Sequence, residues 1–345
     1  MDPLTPDQPQ PQQPDNNHPP GQRRLKRRLM VAVVGFYAVS LVAACILVLR
    51  GQPPTQTAAR KGDKSAGLLA SLSENKDMVG WVSIHGPIFS SESGKPWERG
   101  SESWARKIKQ MAETKGVRAI VLDINSPGGS VGAVQELYSQ ILRVRKEKHI
   151  PVVALFGDVA ASGGYYIAAA CDRIVAHPGT LTGSIGVIFS VTNLEGLFQK
   201  VGLKMNPVKS GKHKDIGSPA RPMTPEERQL MQALIDDAYG QFVQAVATGR
   251  KLDVETVKPL ADGRIYSGTQ ALQAKLVDQL GDSTDAIELA AQLGGIQGRP
   301  KVKRDTERFS DIFGMMDSKF SGGTKALFED LKPHAGLQYL WSAGW

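Results

Sequence analysis

Polar and apolar positions divide the chain into stretches of different texture. Residues 1–22 are Pro, Gln, Asp and Asn with almost nothing to bury, which predicts a disordered tail. The run Arg23-Arg24-Leu25-Lys26-Arg27-Arg28 follows, and then Leu29–Leu49, 21 residues without a charge. A helix needs about 20 apolar residues to cross about 30 Å of hydrocarbon, so this stretch predicts a membrane span. It exceeds the ~7–15 apolar residues of a cleaved secretion signal and runs into Arg50-Gly51-Gln52-Pro53-Pro54 without a small-x-small site. Five basic residues precede the span and only Arg50 follows closely, so the N-terminus is expected in the cytoplasm and the rest beyond the membrane. Residues 50–77 read as a polar linker with room for a short helix over Ala66–Ser73.

From Met78 the periodicity becomes that of a folded domain. Val79, Trp81, Val82 and Ile84 predict a strand, and Trp104–Lys115 has helical spacing with Gly116 as its stop. Arg118–Asn125 predicts a buried strand, Val131–Lys148 an amphipathic helix, Pro151–Phe156 a further strand and Ser162–Cys171 a helix of small residues. Arg173–Ala176 is a short strand. Glu226–Arg250 is a long helix opened by a Thr224 cap, Pro225 and two early acids. Strands and helices alternating on this spacing predict an α/β domain of βαβ units over residues 78–295. Residues 296–345 turn basic and mixed; Phe309, Ile312, Phe313 and Phe320 would line one side of a helix that packs on the body or a neighbour.

Composition changes this picture little. With 41% hydrophobic residues in 345 the chain can build a core, and two cysteines cannot staple it. The formal charge of +8 is concentrated where it orients the span: residues 1–50 hold six basic and three acidic residues, leaving +5 over all the rest. The remainder lacks the aromatic interleaving of a nucleic-acid surface, so none is expected as a partner.

Two glycine turns follow buried strands. In Asn125-Ser126-Pro127-Gly128-Gly129-Ser130 bare amides can approach a ligand oxygen, although such pairs are also common as plain tight turns. In Asp158-Val159-Ala160-Ala161-Ser162-Gly163-Gly164-Tyr165-Tyr166 a serine meets the start of a helix, where free N–H groups favour negative charge. A capping serine is the ordinary role there. The glycines that follow make a poor helix start, which favours close backbone approach over helix strength. Both turns belong at the C-terminal ends of neighbouring strands, where open α/β sheets bind ligands. A serine nucleophile needs a base, and the residues leave it open between His85, His149, His177, His213, His334 and a lysine of the segment Val208–Asp215.

Five segments in order resemble bacterial signal peptide peptidase A. They are the Asn125–Ser130 turn, Ala161–Tyr166, Thr182-Gly183-Ser184-Ile185-Gly186-Val187, Ser210-Gly211-Lys212-His213-Lys214-Asp215 and Ala261-Asp262-Gly263-Arg264. The resemblance spans about Met78 to Gly295 and is to the short, single-set form. It implies a fold similar to Clp protease and the crotonases. It also implies a Ser/Lys dyad of Ser162 as nucleophile and Lys214 as general base. Ser184 would support the lysine, and Gly163 and Gly128 would form the oxyanion hole. It further implies a homo-oligomeric ring or dome in which a neighbour supplies the base. The substrates would be peptides, above all remnant signal peptides, at the outer side of a bacterial inner membrane. His177 stands where the family often has a small polar residue, which leaves a Clp-like triad through His177 to be tested. No metal or other cofactor is expected, as the sequence has no P-loop and no His-Glu-x-x-His pair. Two other readings use the same residues: a crotonase-like enzyme acting on acyl-CoA, and a catalytically inactive membrane scaffold. Placement beyond the membrane opposes the first, the intact serine and lysine the second.

Overall fold

A computed structural model describes residues 77–90, 100–305 and 337–341. The predicted tail, the span Leu29–Leu49, nearly all of the linker, and Phe309, Ile312, Phe313 and Phe320 lie outside the described residues. Among the described residues no helix is long and apolar enough to cross a membrane.

The elements in chain order are β1 (Met78–His85), α1 (Ser101–Glu113), β2 (Val117–Ser126), β3 (Gly128–Ser130), α2 (Val131–Glu147), β4 (Val152–Ala161), α3 (Gly163–Ala169), β5 (Arg173–Ala176) and β6 (Leu181–Gly183). There follow α4 (Glu195–Lys200), α5 (Pro225–Arg250), α6 (Val254–Val257), β7 (Ile265–Ser267), α7 (Gly268–Gln273), β8 (Gln279–Leu280), α8 (Ser283–Leu293), β9 (Lys301–Arg304) and β10 (Gln338–Leu340). The main sheet runs β7-β6-β4-β2-β1-β9, with β5 beside β4 and β8 beside β5. Only the β6–β7 pair is antiparallel within it. This is the α/β architecture that the alternating pattern predicts.

Both faces of the sheet are covered, and for that reason the central strands read as apolar runs rather than alternations. Ile120, Leu122, Val152, Ala154 and Phe156 face a core shared with α1, α2, α3 and α5. Their alternate neighbours Val121, Val153 and Leu155 face a smaller core closed by Ala286, Ala290 and Ala291 of α8. The capping signals before α5 act as the sequence suggests. Thr224 Oγ1 accepts from the Glu227 amide at 3.2 Å and Glu227 Oε2 from the Thr224 amide at 2.9 Å.

Two expectations change. The strand expected over Pro151–Phe156 continues to Ala161, because Val159, Ala160 and Ala161 find a second partner in β6. It therefore delivers the chain directly to Ser162, which is the N-cap of α3 rather than part of it. Part of the expected C-terminal extension is built into the fold: β9 adds to the sheet edge beside β1, and β10 lies on β3.

Candidate active site

Ser162 stands at the join of β4 and α3 with no loop residue on either side. Its backbone is bent to φ 52°, ψ −116°, left-handed territory that costs a residue with a Cβ on the order of 1–3 kcal/mol. The bend is held from both sides: the Ser162 amide donates to Gly183 O at 2.8 Å, and its carbonyl accepts from the Tyr166 amide at 2.8 Å. The side chain makes no capping hydrogen bond, so the ordinary role of a serine before a helix is not the one it fills. Ser162 is 1% exposed.

The glycines around it have a steric reason. A Cβ on Gly163 would come within 2.6 Å of Val134 Cγ2 and 3.0 Å of Gly128 Cα, and one on Gly164 within 2.7 Å of Ser126 O. Only bare backbone lets the first turn of α3 settle against the Pro127-Gly128-Gly129 turn. As the first residue of α3, Gly163 has an amide with no intrahelical acceptor. The two glycine turns thus meet at the C-terminal ends of β2 and β4, as their spacing predicts.

Gly128 does not present its amide to this space. With φ at +98° it turns the N–H back onto Ser126 Oγ at 3.1 Å, while its carbonyl accepts from the Ile88 amide. Ser130 N–H donates to Ile88 O on the same edge. Backbone direction alternates along a strand, so both polar groups of the intervening Gly129 face the opposite edge. The oxyanion donor expected at Gly128 is therefore shifted by one residue, to Gly129.

Ser184 is the other serine of the expected site with a left-handed backbone, at φ 49°, and it is 8% exposed. Its amide donates to Arg264 O at 2.8 Å. This gives the Ala261–Arg264 segment a structural task. Asp262 Oδ1 accepts from the Arg264 amide, and the Arg264 guanidinium pairs with the same carboxylate and lowers its pKa to about 2. The tight turn presents Arg264 O to Ser184, next to the Gly183 carbonyl that holds Ser162.

Lys214 lies in an exposed turn and has no hydrogen bond to Ser162 or Ser184 within the described chain. Its neighbours are tightly held. Asp215 accepts from Arg221 Nη2 at 2.9 Å and from Lys209 Nζ at 2.5 Å, and hydrogen bonds from Arg221 and then Lys209 keep its carboxyl well below the usual range. Arg221 also grips Glu227 at 2.6 and 2.8 Å and holds that carboxyl at about 2. The turn is thereby fixed to the start of α5. Lys212 pairs with Glu226, as does His213 at 3.3 Å. Among the described residues Lys214 has no carboxylate partner.

The histidines do not assemble a triad. His177 is exposed at the end of β5. His85 Nε2 is 3.0 Å from Asp123 Oδ2, an oxygen that also accepts from Ser83. His149 is an exposed turn residue with φ 54°, and His334 lies outside the described residues. Among the described residues no cluster of His, Cys, Asp or Glu fits a metal ion.

Sequence reading missed one side of the site. Tyr166, inside a quoted motif, is a wall of an aromatic pocket with Phe242 of α5, the ring centroids 4.8 Å apart. Tyr339 of β10 fills that pocket with its whole side chain buried.

Known proteins agree with this arrangement. The family model described as peptidase family S49 matches residues 144–297, which include Ser162, Ser184 and Lys214. A relative named as a protease in Synechocystis is 49% identical over 207 residues, 60% of this chain and 74% of that protein. One named as a signal peptide peptidase SppA in Enterococcus faecium is 40% identical over 217 residues, 62% of each. A third, named as a protease in Methanocaldococcus jannaschii, is 34% identical over 259 residues, 72% of this chain and 83% of its own length. With such identity along most of these relatives' length, the chain belongs to peptidase family S49, in the signal peptide peptidase A group that its motifs resemble.

Proposed function

We propose that this peptidase is a serine endopeptidase using a Ser162/Lys214 dyad on a Clp-like fold. The observation that carries the reading is the Ser162 elbow: a buried, backbone-strained serine, free of any capping role, between the amides of Gly163 and the Pro-Gly-Gly turn. Ser162 Oγ attacks the substrate carbonyl carbon as neutral Lys214 Nζ accepts its proton. The oxygen that becomes negative is held by the Gly163 and Gly129 amides, and a single such donor is worth about 2.7–4 kcal/mol in the transition state. Collapse breaks the C–N bond, and the amine leaves with the proton returned by Lys214. Water, deprotonated by the same lysine, then hydrolyses the Ser162 ester.

Lys214 reaches Ser162 from a neighbouring copy. The segment leading to it exposes Ile188, Leu197, Val201, Leu203, Met205 and Val208, an apolar surface a lone copy leaves in water. A second copy over that surface would also dry the lysine, and desolvation favours the neutral amine a base requires. Leu29–Leu49 anchors the assembly in the membrane with the catalytic domain beyond it, which suits remnant signal peptides as substrates.

The test uses the full chain in detergent and a fluorogenic peptide. Ser162→Ala and Lys214→Ala are each expected to lose at least 100-fold in kcat/KM, His177→Ala to stay within about threefold. Mixed assemblies of the two dead variants are expected to regain activity. Hydrolysis surviving in Ser162→Ala would overturn the reading, and absence of recovery in proven mixed assemblies would overturn the shared site.

A further inference from the structure

The chain carries a strand of its own in the place where a substrate would lie. β10 pairs antiparallel with β3 in the register Gln338↔Ser130, Tyr339↔Gly129, Leu340↔Gly128. Flanking bonds extend the ladder: the Val131 amide donates to Leu337 O at 3.2 Å and the Trp341 amide to Pro127 O at 2.8 Å. Antiparallel alternation then makes Gly129 and Tyr339 the pair that exchanges both hydrogen bonds. On its other edge Gln338 exchanges both bonds with Ile188, each at 3.0 Å. The segment is thus clamped between two backbone edges, the mode in which extended peptides add to a sheet.

The position of Tyr339 within that clamp is telling. Its carbonyl oxygen accepts from the Gly129 amide and lies 3.1 Å from where a Gly163 Cβ would stand and 2.0 Å from that of Gly128. It sits over the two glycines assigned to the developing oxyanion. Its ring stacks on Tyr166 at 5.0 Å and 23°, with Phe242 at 4.9 Å. Its hydroxyl donates to Ala238 O of α5 at 2.8 Å at the end of the pocket.

We propose that Leu337–Trp341 occupies the substrate cleft of its own chain, and that the Tyr166/Phe242/Ala238 pocket selects substrates with tyrosine at the residue whose carbonyl enters the oxyanion hole. The ring walls read an aromatic side chain and the Ala238 carbonyl reads its hydroxyl. The segment is a competitive occupant that peptide substrates displace. This rests on the Ser162 reading for the identity of the cleft, whereas its test is made by binding and does not need turnover.

The experiment uses the full chain in detergent with Ser162→Ala, so that nothing is cut, and a fluorescent peptide Leu-Gln-Tyr-Leu-Trp. Tyr339→Ala is expected to bind the peptide at least tenfold more tightly than the chain with its own tyrosine. Tyr339→Phe keeps the ring in the pocket and guards against a folding defect; it is expected to fall between the two. Against the Tyr339→Ala chain, the peptide with Phe for Tyr is expected to bind about 3- to 10-fold more weakly, the loss of one hydrogen bond, and the Ala peptide beyond 100-fold. With Ser162 restored, Tyr339→Ala is expected to lower KM and leave kcat unchanged. Equal peptide affinity with and without Tyr339 overturns self-occupation, and equal affinity for the Tyr and Ala peptides overturns the pocket. Hydrolysis persisting in Ser162→Ala sinks the peptidase assignment instead, a separate outcome.

Discussion

Replacing Ser162 by glycine should make the protein more stable while silencing it. The residue holds φ 52° and ψ −116°, where a Cβ costs on the order of 1–3 kcal/mol and a glycine costs little. Against that gain stands the extra freedom of glycine in the unfolded chain, about 0.5–1 kcal/mol. The serine side chain makes no capping bond whose loss would count on the other side. The net is a stabilisation of about 1 kcal/mol, or a rise of roughly 2–4 °C in Tm for a unit of about 150–250 residues. Ser162→Ala is the control, because it removes the same hydroxyl and keeps the Cβ that causes the strain. Thermal unfolding of both variants by circular dichroism isolates the backbone effect, with the fluorogenic peptide confirming that both are inactive. A glycine variant melting at or below the alanine variant would show that this bend stores no strain and would remove the strongest structural argument for Ser162.

Two further outcomes follow from the packing and charge around the site. Gly249 of α5 lies against α3, and a Cβ there would fall 1.9 Å from Ala169 O; Gly249→Ala is expected to cost about 1–3 kcal/mol or more and to lower Tm by several degrees in the same melts. The Glu227 carboxyl is held at about 2, below its ordinary 4.5, by its hydrogen bonds from Arg221 and then Thr224. A depressed carboxylate stabilises above its unfolded value and loses that contribution as pH falls through the folded one. The stability gap between the parent and Glu227→Gln is therefore expected to hold above pH 4.5, shrink between about 4.5 and 2, and close below. A gap constant across that window in denaturant titrations would refute the assigned anchor.

How much of this could be read in the sequence depends on whether a feature is local. The core strands announce themselves because each is buried on both faces, and α5 because Thr224, Pro225 and Glu227 act within a single turn. The end of β4 was hidden because Gly157-Asp158 resembles a turn, while its partner β6 lies more than twenty residues on. β3 is two glycines and a serine, residues without strand preference, made into a strand by Ile88 on one edge and Tyr339 on the other. The choice between Gly128 and Gly129 as donor lies in the same gap. Two adjacent glycines look alike, and which amide faces the cleft is set by φ at Gly128 and by the bond to Ser126.

The lysine-rich turn shows how structure narrows a choice that spacing leaves open. Lys209, Lys212 and Lys214 lie within six residues, and any of them could be drawn as a base. Lys209 is bound to Asp215 and Lys212 to Glu226, and a carboxylate at such range favours the ammonium form, the wrong one for accepting a proton. Lys214 alone of the three has no such partner among the described residues. Its turn is nevertheless anchored, since Arg221 ties Asp215 to Glu227 and through it to the capped start of α5. The pairs on either side of Lys214 consume the nearby carboxylates and brace the backbone, leaving one unpaired amine at a fixed place on an otherwise apolar, exposed segment. That arrangement has no evident use to an isolated copy, where no hydrogen bond links Lys214 to Ser162, and it has a direct one if the segment closes over the elbow of the next.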